Sequence, residues 1–292
     1  MALNAHEKLD IFIIVYFSLA LPFSLWVCKK QGFGRSLGWL YLVSLPIFRI
    51  AGSACTIAAY QDAQRPSPGL LAAGAILNGL GLVSLELTLL GLVERANAGM
   101  QNRFRYASRG LPMCHILLII AAGLSISGGI NSSESQSQSS VDTGHALRKG
   151  SAIELLAVFL ILVAVTVGIL VRVNQAWAGD RHILYAAAIS FPFLLVRAIY
   201  TVIIAFATSS ATFSATSPNV YVQAFMQILM ECIIIALFIA AGLTVPSVRL
   251  APEDFKEADP PGISQTNSSQ APNIQPGNDV ELGTLPARSQ GP

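Results

Sequence analysis

Charge is scarce in this chain. Asp, Glu, Lys and Arg make up 12% of its 292 residues, and apolar residues reach 53%. Soluble domains carry roughly a quarter charged residues, so a water-facing globular surface is excluded. A net charge of +2 supplies no basic field for nucleic acid. Cysteine is limited to Cys28, Cys55, Cys114 and Cys232, with no C-x-x-C spacing, which leaves them as small apolar packers. No lysine falls inside a long apolar run, and this removes a retinal Schiff base. D-D-x-x-D, H-E-x-x-H, G-x-S-x-G and phosphate-loop patterns are absent, so neither a metal nor a cofactor is expected. The receptor elements D-R-Y and N-P-x-x-Y are missing too.

Long apolar runs are what the chain has. They lie at about 10–28, 36–59, 69–93, 111–130, 152–173, 183–208 and 220–246, separated by charged or turn-forming stretches. Each is long enough to cross a ~30 Å hydrocarbon core at about 1.5 Å per residue. In lipid every backbone polar group must be satisfied within its segment, so the expected fold is all-α, a polytopic membrane bundle of seven transmembrane helices. That domain would occupy 1–249. Residues 250–292 are rich in Pro, Ser, Asn and Gln and read as a disordered cytosolic tail.

Orientation follows from basic residues. The loops after runs 1, 3 and 5 hold Lys29, Lys30, Arg35, Arg95, Arg103, Arg105, Arg109, Arg172 and Arg181. The N-terminus and the other loops hold Lys8, Arg65, Arg148 and Lys149. A positive-inside bias therefore predicts a lumenal N-terminus and a cytosolic C-terminus in the endoplasmic reticulum membrane. The Ser/Gln-rich loop expected at 131–150 carries a sequon at Asn131, on the side where glycosylation occurs.

A few ionisable residues interrupt the runs: Arg49, Glu86, Glu154, Arg197 and Glu231, with Asp10 and His115 near segment ends. A charge near the bilayer centre costs at least ~2.5–3.5 kcal/mol, so these side chains should face the bundle interior and find partners. Their order suggests Arg49 with Glu86 and Arg197 with Glu231. Both arginine runs also carry an upstream Ser-x-Pro, Ser44-Leu45-Pro46 and Ser190-Phe191-Pro192, a weak sign of a three-plus-one-plus-three repeat. Helical spacing places Gln223 and Gln227 on the stripe of Glu231, and Asn78 on that of Glu86. Two readings follow. The pairs either pin helix register, or these stripes line an internal cavity between segments 2, 3, 6 and 7 with aromatic walls. Asp10 and Glu154 read as helix-start markers. Trp26, Trp39, Tyr41 and Tyr60 read as interfacial belt residues.

The stretch GFGRSLGWLYLVSLPIFRIAGS, followed by AGAILNGLGLVSLELTLLGLVER, resembles the seven-span fungal integral membrane proteins of a largely uncharacterised family. G-F-G-R-x-x-G-W-L and the later arginine carry the likeness, which extends to about residue 246. Through members in fungal biosynthetic gene clusters it is similar to membrane-bound terpene cyclases of meroterpenoid pathways, of the ascofuranone and macrophorin type. The resemblance implies a metal-independent enzyme that protonates a terminal alkene or epoxide of a prenyl chain. Its partners would be a lipophilic prenylated substrate and membrane lipid. A carboxyl buried without a partner keeps its proton and can act as general acid, which makes Glu231 and Glu86 the candidate acids. A nearby arginine would oppose that role. A seven-helix receptor or sensor, or a small transporter, is the competing class.

Overall fold

The computed structural model describes residues 5–32, 37–61, 68–98, 105–134, 138–171, 178–207 and 219–245. The expected tail at 250–292 lies outside them. Among the described residues no strand occurs, and the chain runs through α1 (Ala5–Gln31), α2 (Leu37–Gln61), α3 (Pro68–Ala98), α4 (Arg105–Glu134), α5 (Gln138–Leu170) and α6 (Ala178–Phe206). A seventh span follows at Val220–Thr244. It starts as an α-turn, widens into a π-helical turn at Ala224–Leu229, and continues as α-helix from Met230. All seven are long and apolar enough to cross a membrane. The protein is an integral, multi-pass, all-α membrane bundle.

Consecutive helices are neighbours, the seventh span closes against α6 and α1, and α3 also touches α5 and α6. α3 is therefore the central helix, with 72% of its most apolar window buried. Its sequence explains this, because a helix apolar on every side is stable only when surrounded. Small residues let α2 come close. A Cβ on Gly38 would lie 2.9 Å from both the Cα and the carbonyl carbon of Gly91. Backbone cannot step aside as a side-chain tip can, so Gly38→Ala must push the two helices apart. Overpacking of this kind costs about 1–3 kcal/mol, and a lower thermal midpoint of detergent-purified protein should reveal it. An unchanged midpoint would mean that the α2–α3 contact yields freely.

Proline occurs inside α2 and α6, at Pro46 and Pro192, where it removes a backbone donor. The Ser two residues earlier bonds back within the helix in both cases. Ser44 Oγ donates to Tyr41 O at 2.8 Å, and Ser190 Oγ donates to Ala187 O at 2.7 Å. The two Ser-x-Pro stretches thus share one local device.

The fourth connection differs from expectation. Residues 131–150 are helical wherever described, since α4 reaches Glu134 and α5 begins at Gln138. The cause is tertiary. A Cβ on Gly128 of α4 would meet Gly144 O at 3.1 Å and Arg148 Cγ at 2.8 Å, so α4 and α5 pack closely beyond their most apolar stretches. That contact holds a polar sequence helical. Asn131 consequently sits in the last turn of α4 rather than in a loop. Trp39 also departs from the interfacial reading. It is fully buried, with its ring lying where Gly242 of the seventh span leaves room.

At the end of the bundle holding the C-termini of α1, α3 and the seventh span, polar groups close the structure. Gln31 Nε2 donates to Gly242 O at 3.0 Å and Val245 O at 3.1 Å, and Lys30 Nζ donates to Leu243 O. These are the carbonyls that a helix end leaves without partners. Arg95 of α3 donates to Gln31 Oε1 at 2.8 Å and ties the third helix in.

Candidate functional site: a buried charge cluster beneath an internal cavity

Arg49 and Arg197 both point inward, and both reach the same oxygen. Glu231 Oε1 accepts from Arg49 Nη2 and from Arg197 Nε, the latter at 2.6 Å. All three side chains are buried. Sequence order suggested two separate pairs, and this is the main correction. Arg49 does not pair with Glu86, so the charge pattern of the first three helices is not repeated in the last three.

Amides and a hydroxyl complete the cluster. Arg49 Nη1 donates to Asn78 Oδ1 at 2.6 Å. The Gln227 amide, oriented with its oxygen toward Arg49, accepts from Nη1 at 2.8 Å and Nη2 at 3.1 Å. Arg197 Nη1 donates to Thr201 Oγ1 in the next turn of its own helix. Room for the Arg49 guanidinium comes from Gly81, where a Cβ would stand 2.8 Å from Nη2. Gln227 lies in the π-helical turn, and such wide turns recur at functional sites.

Glu86 has a different situation. It is fully buried on α3, and neither carboxyl oxygen has a hydrogen-bond partner. It lies within electrostatic range of Arg197 and Cys114 without touching either.

Above the cluster is a cavity of about 380 Å³. Its lining comes from the N-terminal parts of α1, α3 and the seventh span, the middle of α5 and the C-terminal parts of α2, α4 and α6, so it lies toward the end of the bundle that carries the N-terminus. Asn78, Arg197 and Gln227 lie at its base and Gln223 stands higher on the wall. These four candidates are brought together at the cavity. Arg49, Glu86 and Glu231 are not part of its lining. The aromatic walls expected from the sequence reduce to Tyr60 and Tyr200. All seven spans contribute, not four.

Two lining residues were not foreseen. Asp10 is buried on α1 beside Ser53 and within electrostatic range of Arg49, not a helix-start marker at the surface. Arg148, which hydropathy assigns to a loop, projects from α5 into the cavity. Hydropathy concealed both. The signal available for Asp10 was its spacing, three residues before Ile13 and seven before Phe17, both buried on the same helix.

Fold and site together define a polytopic seven-helix membrane protein with an internal small-molecule-sized cavity over a buried charge cluster. The chain belongs to the family described as Domain of unknown function (DUF7702), whose profile matches residues 3–248. No curated protein and no solved structure matches it. Among the described residues no group of His, Cys, Asp and Glu side chains is placed to hold a metal ion.

Proposed function

We propose that the protein is a receptor- or sensor-like membrane protein that takes a lipophilic, oxygen-bearing small molecule into this cavity. One observation carries the reading: Asn78, Arg197 and Gln227 face the cavity and also hold the Arg49–Glu231 cluster. A ligand bonding to these groups competes with the cluster's own bonds. Occupancy is thereby coupled to how α2, α3, α6 and the seventh span are held, which gives a ligand the differential contacts that a switch requires. The cavity falls within the usual size range of small-molecule sites.

Support for ring closure of an isoprenoid chain, the activity implied by resemblance, is narrower. Glu231 is held by two guanidiniums, and Glu86 lies away from the cavity. Arg148 and Arg197 facing the space would oppose a travelling carbocation. The observation favouring this second reading is Asp10, the carboxyl that does line the cavity. A cyclase would use it as proton donor, and Asp10→Asn would stop cyclisation of a prenylated phenol in microsomes.

The basic loops support a cavity opening on the lumenal side of the endoplasmic reticulum, with Asn131 available to glycosylation there.

The ligand reading is tested by filling the space. Ala75 lines the cavity from α3. Native mass spectrometry of protein released from nanodiscs should detect a retained small molecule, and Ala75→Phe should reduce its occupancy about tenfold, equivalent to ~1.4 kcal/mol of binding. Equal retention by a folded Ala75→Phe protein would remove the cavity from the account.

A further inference from the structure

Arg148 is a charge in the cavity that no described residue answers with a hydrogen bond or ion pair. Arg49 and Arg197 share Glu231, and Asp10 stands within electrostatic range of Arg49, so two carboxylates offset these two guanidiniums. Among the described residues Arg148 has no such partner. No described hydrogen bond or ion pair engages it, although it lies ten residues inside a helix and lines the cavity. Its stem rests in the space left by Gly128 on α4, which fixes where the guanidinium stands. The neighbouring Lys149 is differently employed. Its ammonium lies 5.6 Å from the centre of the Phe206 ring, and it is not among the lining residues.

The cavity walls are largely apolar, with Ile76, Leu155 and Ile204 among the lining residues. Among its described lining residues such a cavity has an unmatched cation and a greasy interior within a membrane. A small inorganic anion would leave the apolar walls unused. A neutral lipid would leave the cation unanswered in a partly desolvated place, which is costly.

We infer that the cavity binds an amphiphilic monocarboxylate, its carboxylate paired with Arg148 and its hydrocarbon chain against the apolar walls. A guanidinium meets a carboxylate through two parallel hydrogen bonds, the strongest recognition of that group available to a side chain. This inference rests on the small-molecule reading of the cavity and adds the chemistry of the ligand.

The test compares an acid with its matched alcohol. Full-length protein in phosphatidylcholine nanodiscs would be titrated with radiolabelled dodecanoate, with empty discs as background, and dodecanol would be measured by competition. Wild-type protein should bind the acid saturably and at least about tenfold more tightly than the alcohol. Arg148→Gln should bring the acid down to the affinity of the alcohol, and Lys149→Gln should keep the preference, which separates pairing in the cavity from attraction to a basic surface. Acid and alcohol binding equally to wild type, or a preference that survives Arg148→Gln, overturns the proposal. If both bind equally and Ala75→Phe removes both, the cavity reading stands while the carboxylate proposal falls. If neither probe binds saturably, both fall.

Discussion

Glu231→Gln should deplete folded protein more than any other single substitution in the spans. The change keeps the size of the side chain and removes the negative charge that holds Arg49 and Arg197 together. Two fully or almost fully buried guanidiniums would then face each other across a neutral amide. Breaking a buried ion pair by removing one member costs about 3–5 kcal/mol, and here one member serves two partners. Glu86→Gln provides the contrast, because neither oxygen of Glu86 accepts a hydrogen bond. Fluorescence-detected size exclusion of a tagged chain should show a large loss of the monodisperse peak for Glu231→Gln and a yield near wild type for Glu86→Gln. Equal yields for the two variants would mean that the Glu231 cluster contributes no more to folding than an unpaired carboxyl.

The arginines should behave in a non-additive way. Arg49→Met leaves Glu231 with Arg197, and Arg197→Met leaves it with Arg49, so each single change breaks one of the two ion pairs to Glu231 and preserves the other. Each should cost about 1–3 kcal/mol, the scale of a lost charge-assisted hydrogen bond. The double variant strands a buried carboxylate, and its loss should exceed the sum of the singles by about 1–3 kcal/mol of coupling. Adding Glu231→Met to the double variant should restore much of the yield, because a buried triad replaced by apolar side chains of similar size is often neutral or stabilising. Thermal midpoints of the five proteins in one detergent measure this cycle. Additive arginine effects, with no recovery in the triple variant, would refute a shared carboxylate.

Chemistry and position separate within this cluster. Glu231 carries the fold-holding contacts but lies outside the cavity lining, and Asp10 and Arg148 line the cavity without belonging to the cluster. Substitutions at Asp10 or Arg148 therefore probe the occupant, and those at Glu231 probe the scaffold. Gln227 and Asn78 belong to both.

Seven apolar runs and their approximate limits were legible in the amino-acid order alone, because membrane spans depend on length and hydropathy, both local properties. So were the arginines and glutamates that had to turn inward, since lipid cannot solvate them. Which charge meets which was not legible. Arg49 sits three residues after Pro46 and Arg197 five after Pro192, yet both reach Glu231, because α2 and α6 both pack on a central α3 and turn these side chains to one carboxylate. Rotational phase and depth of helices against one another come from close contacts such as Gly38 with Gly91 and Gly81 with Arg49, which no single helix encodes. Asp10 and Arg148 were concealed for the same reason. Hydropathy placed one at a helix start and the other in a loop, and only packing of α1 into the bundle and of α5 along α4 carries them into the cavity.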